Sequence, residues 1–199
     1  MSPKRSRSAA TRSTASSTGS TSSSRARSAS TENSPAADPR IKAARPKRNS
    51  DKPRFAWALT GSGHMLEESL ALARTLPNVD LYLSAAAAEV LPLYKLTLDS
   101  LKRDFRVFND NSRSSVPVGL LYADFYHTVV VAPATSNTVA KCAFGISDTL
   151  PTNMFAQAGK LGIPGIVYAC DTEPVVITRS PREWVELRPR KIELENVER

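Results

Sequence analysis

Val129-Val130-Val131-Ala132-Pro133-Ala134-Thr135-Ser136-Asn137-Thr138 decides the fold. Three β-branched residues and an alanine make an apolar run with no polar alternation, as a strand buried on both faces of a parallel sheet requires. The run stops at Pro133, and the hydroxyl- and amide-bearing residues beyond it read as the loop at the strand's C-terminal end. Ligands of open parallel sheets sit outside the carboxyl ends of the strands, so this loop is a candidate binding element.

Upstream, Phe55-Ala56-Trp57-Ala58-Leu59-Thr60 reads as the first buried strand and Gly61-Ser62-Gly63-His64 as the turn after it. Met65 to Leu76 follows as a helix with Leu66, Leu70 and Ala73 on one face, which makes a β-turn-α unit. Val79 to Ser84 is a second strand, and Ala85 to Leu93 a second helix closed by Pro92. Residues 95–118 blur into a short helix or strand and a mobile polar loop around Asp110 to Ser115. Downstream, helices are expected over 139–144 and 147–160, a last core strand over 163–169, and strand character at Val175 to Thr178 and Trp184 to Leu187. The pattern predicts an α/β fold, an open doubly wound sheet of about four parallel strands with helices on both faces.

Charge divides the 199 residues sharply. Residues 1–54 carry 13 Lys and Arg against Glu32, Asp38 and Asp51, a net +10, whereas residues 55–199 carry 14 basic and 16 acidic residues, a net −2. The first segment is rich in Ser, Thr, Ala, Arg and Pro, with too few apolar side chains to offset an ordering cost of about 1–2 kcal/mol per residue. A disordered basic tail over 1–53 and one folded domain over 54–199 are therefore expected, with nucleic-acid contacts limited to weak ones of the tail. Two cysteines, Cys142 and Cys170, are too few for a disulfide framework or an iron–sulfur cluster. No stretch reaches the roughly 18 apolar residues of a membrane span, so a soluble, cytoplasmic protein without membrane partners is expected.

The loops at 61–64, 84–86 and 133–138 are all rich in small and hydroxyl residues. Backbone N–H groups at a helix start plus Ser or Thr hydroxyls can ring a phosphate. The first loop is not the dinucleotide fingerprint, because Leu66 stands at the third glycine position, and it lacks the Gly-Lys-Ser/Thr of a nucleotide-triphosphate loop. A mononucleotide fits better.

The Pro133-Ala134-Thr135-Ser136-Asn137-Thr138 stretch resembles the Pro-Ala-Ser-Ala-Asn-Thr motif of the homo-oligomeric flavin-containing cysteine decarboxylase superfamily. With Thr60-Gly61-Ser62-Gly63-His64, Leu83-Ser84, Gly145 to Leu150 and Thr152-Asn153 through Lys160, residues 55–199 look most like its archaeoflavoprotein and dihydromethanopterin reductase (acceptor) branch. The resemblance implies a Rossmann-like, flavodoxin-like fold that binds FMN, as a homo-oligomer built from trimers with flavin sites near subunit boundaries. By motif position Gly61, Ser62, Gly63, Ser84, Pro133, Ala134, Thr135, Ser136 and Thr138 would surround the phosphate and ribityl chain, and Asn137 and Asn153 would lie near the isoalloxazine. Ser84 and Thr138 could equally serve as helix N-caps.

The branch is set by departures. The phosphopantothenoylcysteine decarboxylases carry Pro-x-Met-Asn-x-x-Met-Trp, and Pro151 to Gln157 keeps the Asn while losing the second Met and the Trp. Flavin prenyltransferases have a phosphate-binding Arg where Asn153 stands. Their substrates are thus disfavoured, and the resemblance implies an FMN-dependent reductase acting on a dihydropterin with electrons from NAD(P)H or a protein donor, a step of one-carbon metabolism. A decarboxylase with a changed substrate and a non-enzymatic electron carrier are the alternatives. Reduction of a pterin C=N bond needs a proton as well as electrons, and His64 and Asp148 are the candidate donors. Asp148 is also read as an N-terminal helix cap, Cys170 as a small core residue, and His127 as structural at the far end of its strand.

Overall fold

The computed structural model describes residues 52–110, 115–123 and 125–199. The expected tail, save its last two residues, and most of the loop read as mobile lie outside the described residues.

The strand that decides the fold is β4, Thr128–Ala134, with all seven residues buried. It lies beside β1, Phe55–Leu59, in a five-stranded parallel sheet of order β3-β2-β1-β4-β5. Here β2 is Val79–Leu83, β3 Arg106–Asn109 and β5 Gly165–Ala169. Phe55 pairs with Thr128 and with Val79, so the strand order reverses between β1 and β4, the point at which open parallel sheets carry their crevice.

Alternation along β1 gives each face its own core. Trp57 and Leu59 pack with Leu66, Leu70 and Ala73 of α1, Leu66–Thr75, and with Leu101 of α3, Leu98–Asp104. Ala56 and Ala58 face the opposite way, toward Leu150, Met154 and Ala158 of α6, Leu150–Lys160. The expected α1 stripe is buried as read, and burial of Leu66 and Leu70 is worth about 1.5–3 kcal/mol each.

Five strands replace the expected four. The missed one, β3, is the sheet edge, and its Arg-Val-Phe-Asn sequence is only half-buried, so it lacks the continuous apolar run that marks a central strand. The second expected helix is α2, Ala85–Val90, continued as a 3-10 turn over Leu91–Tyr94 where Pro92 cannot donate to an α-helical ladder. Pro133 and Ala134, read as loop, belong to β4; the Ala132–Pro133 peptide is cis and the pairing with β5 shifts register between Val131 and Ala134. The Ala132 carbonyl is satisfied by side chains instead, accepting from Trp57 Nε1 at 2.8 Å and Ser69 Oγ at 2.7 Å.

After β4 comes α5, Ser136–Ala143, beginning three residues earlier than expected because Thr135 caps it. Thr149 caps α6, so Asp148, expected as the cap, stands outside the helix. The predicted C-terminal strands, now β6 (Val176–Arg179) and β7 (Trp184–Leu187), pair only with each other as an antiparallel hairpin. A five-residue α4, Ser115–Gly119, precedes β4, and a last helix α7, Lys191–Val197, packs against α5.

At the N-terminal end of the sheet, Asp80 is buried and ion-paired to Arg54 at 3.1 Å, and the Tyr126 hydroxyl donates to it at 2.6 Å. Tyr82 and Tyr126 share a further 2.6 Å hydrogen bond, and burial pushes both phenols well above their ordinary range. His127 lies here too, its N–H donating to the Arg54 carbonyl, as its structural reading required. This end is sealed by a satisfied polar network. No helix among the described residues is long and apolar enough to cross a membrane.

Candidate cofactor and active site

Thr60, the first residue past β1, joins the two halves of the crevice. Its buried hydroxyl donates to the Pro133 carbonyl at 2.7 Å and accepts from the Thr135 N–H at 3.0 Å, tying the first loop to the β4 loop. Gly61 then brings the first loop against α2, since a Cβ there would stand 2.6 Å from the Ala86 Cβ. A Cβ on Gly63 would meet the Tyr94 phenol, and a side chain there would displace that ring. Gly61 is the position where close approach requires glycine.

Hydroxyl groups line the space so formed. Ser62 Oγ donates to the His64 carbonyl at 3.2 Å, and the Cys170 thiol donates to Ser62 Oγ at 3.1 Å. Thr135 caps α5 by accepting from the Thr138 N–H, and the two threonine hydroxyls meet at 3.0 Å. Ser84 caps α2, accepting from the Ala87 N–H at 3.0 Å. Thus the cap at the head of α5 is Thr135, with Thr138 in its first turn. Ser136 Oγ donates to the Asp171 carboxylate just past β5.

Gly61, Ser62, Gly63, His64 and Thr135 line one cavity of about 300 Å³, closed on the other side by Cys170, Asp171 and the β6–β7 hairpin. Ser136 and Thr138 support that wall through their hydrogen bonds to Asp171 and Thr135, whereas Ser84 only caps α2, and Pro133 and Ala134 are buried in β4. Asn137 is exposed on the first turn of α5, and Asn153 is half-buried in α6; neither lines the cavity within this chain.

The two expected proton donors are set apart. His64 Nδ1 lies 2.7 Å from Thr178 Oγ1 of β6, so the hairpin fixes the imidazole at the cavity wall. Asp148 is exposed at the α5–α6 junction and ion-paired to Lys141 at 2.8 Å, whose hydrogen bond lowers its carboxyl below the usual range. It does not line the cavity. Cys170, read as a core residue, is indeed buried, yet it also faces the cavity; burial pushes its thiol up to about 11, which keeps it neutral.

Sequence reasoning missed Thr60, Asp171, Thr178 and Arg179. The strand-end rule applied to β5 as it was to β4 points to Asp171, and the in-out alternation of Val176-Ile177-Thr178-Arg179 puts Thr178 on the buried side. Nothing local signals that the hairpin folds back over the first loop.

The dihydromethanopterin reductase (acceptor) of Methanosarcina mazei is 39% identical over 142 residues, 64% of this chain and 59% of that protein. An uncharacterized protein of Methanocaldococcus jannaschii is 39% identical over 155 residues, 73% of this chain and 83% of its own. The chain thus spans about three fifths of the length of the curated reductase. Among solved structures, DmrB of Burkholderia xenovorans in complex with FMN, described as a cubic protein cage for redox transfer, is 72% identical, with 75% of this chain and 83% of that one covered at a TM-score of 0.69. A dodecameric FMN-dependent Ubix-like decarboxylase of Escherichia coli O157:H7 shares the fold, at 18% identity, 72% and 73% coverage and a TM-score of 0.55. The Flavoprotein family matches residues 43–199, and the chain belongs to that family.

Proposed function

We propose that the cavity at the β1–β4 crevice binds FMN and that the chain is an FMN-dependent reductase of a dihydropterin-class substrate, drawing electrons from NAD(P)H or another external donor. The observation that carries the reading is the Thr60 joint, which holds two hydroxyl-rich loops and the head of an eight-residue helix around one space. That donor set fits the group: the neutral hydroxyls of Ser62 and Thr135 and the first-turn N–H groups of α5 suit a phosphomonoester and a polyol, while Arg179 on the same wall offers a cation and the Asp171 carboxylate is engaged by Ser136. The FMN bound by DmrB supports it, as does the name of the curated reductases.

Bound there, FMN supplies two-electron transfer between donor and acceptor. Adding two electrons and two protons across a C=N bond, while the donor is oxidised by two electrons, leaves the chain to position the ring and deliver a proton. Proton delivery is assigned to His64 in this reading, supported by its position on the cavity lining and its hydrogen bond to Thr178. Cys170, held neutral, acts as a wall. Val185 and Leu187 of the hairpin add an apolar side to the same cavity. We read the assembly as a homo-oligomer, a trimer or a multiple of it.

An anaerobic absorbance titration tests the reading. The FMN-loaded protein is titrated with NADPH and NADH and then given a dihydropterin. Bleaching of the visible flavin band by a nicotinamide and its return on adding the dihydropterin are the expected results. A band bleached only by a protein donor and indifferent to dihydropterin would make the chain an electron carrier instead.

A further inference from the structure

A second cavity, of about 400 Å³, opens beside the first between the start of α1, the 3-10 turn and the hairpin. Both cavities are walled by Gly63, His64, Tyr94 and Thr178, so a molecule in one is a neighbour of a molecule in the other. Its chemistry differs from the hydroxyl-lined first cavity. Glu67, Glu68, Lys95 and Trp184, which is 70% exposed, line it and not the first cavity, and Arg179 lines both.

Among the described residues neither glutamate is ion-paired, although two cations line the same cavity. Tyr94 bridges the two cavities, its hydroxyl donating to the Arg179 carbonyl at 3.2 Å. Burial and then the charge of nearby Glu67 raise that phenol.

Resting on the reductase reading, we infer that this second cavity is the substrate subsite, in which Glu67 accepts from the amino-pyrimidinone edge of a dihydropterin, Trp184 covers its ring, and Lys95 and Arg179 receive an anionic tail. A pterin edge presents an exocyclic amine and a ring N–H side by side, a donor pair that a carboxylate accepts in bidentate fashion. An exposed indole offers a face for a flat heterocycle. Opposite charges within one cavity match a ligand with a donor head and an anionic tail, and the shared wall at His64 brings that head toward the cofactor cavity.

Isothermal titration of the FMN-loaded full chain with pterin, which is the head alone, and with folate, which adds an anionic tail, tests the inference. Glu67→Gln is expected to weaken both about tenfold to a hundredfold, Lys95→Gln to weaken folate alone, and neither to alter FMN affinity or the thermal melt. Equal pterin affinity in wild type and Glu67→Gln would overturn the subsite, as would no pterin binding to the wild type. Reoxidation of the reduced wild type by a dihydropterin, followed in parallel, keeps the two readings apart. If it occurs while Glu67→Gln binds pterin normally, the subsite falls and the reductase stands. If pterin binding depends on Glu67 but no reoxidation occurs, the subsite stands and the reductase falls.

Discussion

Thr60 concentrates the account at the scale of single residues, because one buried hydroxyl closes the joint between the β1 and β4 loops. Thr60→Val preserves shape and leaves the Pro133 carbonyl and Thr135 N–H without that partner, which should cost about 1–3 kcal/mol in urea denaturation and weaken FMN binding together. Loss of neither would show that the joint is not what shapes the cavity. The two cysteines give a pH-dependent prediction. Burial pushes both Cys142 and Cys170 from the ordinary 9.0 up to about 11, so folding favours the neutral thiol. Their contribution to stability is fully present below 9.0 and is lost as pH rises through about 11. Reaction of the native protein with a thiol reagent should accordingly keep rising beyond pH 9.0 toward about 11, and a plateau at or below 9.0 would contradict the burial argument. At this scale the hydroxyl loops were legible because they are contiguous in sequence. Thr178 and Asp171 were not, since each meets its partner only after the chain has returned from another strand, His64 with Thr178 and Ser136 with Asp171.

Among the elements, the packing of α2 on the first loop carries the most consequence for the site. Gly61→Ala puts a methyl 2.6 Å from the Ala86 Cβ, and the contact is between two short, rooted groups that cannot swing aside. The loop and α2 must separate, at a cost of about 1–3 kcal/mol, and the expected result is a lower melting temperature and FMN affinity reduced at least several-fold. An unchanged melt would mean that the two elements are not held so closely. The central strands were readable from β-branched, unbroken apolar runs, which burial on two faces demands. The edge strand β3 was not, because one side of an edge needs no apolar neighbour and Arg106 and Asn109 fit there. Helix starts were misplaced for a related reason: Thr135, Ser136 and Thr138 at the head of one helix and Ser147, Asp148 and Thr149 before the other can each cap, and only the Thr135–Thr138 and Thr149–Thr152 hydrogen bonds select the positions used.

For the whole molecule, β5 separates this sheet from one that is complete alone. It is paired on one side only, and Ile166 and Tyr168 are 54% and 50% exposed on a strand whose neighbour β4 is wholly buried. Exposed apolar side chains at the edge of a core sheet suit contact with a second copy of the chain. Light scattering should show a multimer for the wild type and smaller species for Tyr168→Asp; a monomeric wild type would overturn the assembly reading. The proposed binding of FMN by the cavity at the β1–β4 crevice is tested most directly by comparing FMN with riboflavin, which lacks only the phosphate. Equilibrium titration followed by flavin fluorescence should show FMN bound at least about a hundredfold more tightly, as two charge-assisted hydrogen bonds at about 1.5–3 kcal/mol each require. Equal affinities for the two, or binding of neither, would contradict the placement of a phosphate among Ser62, Thr135 and the head of α5.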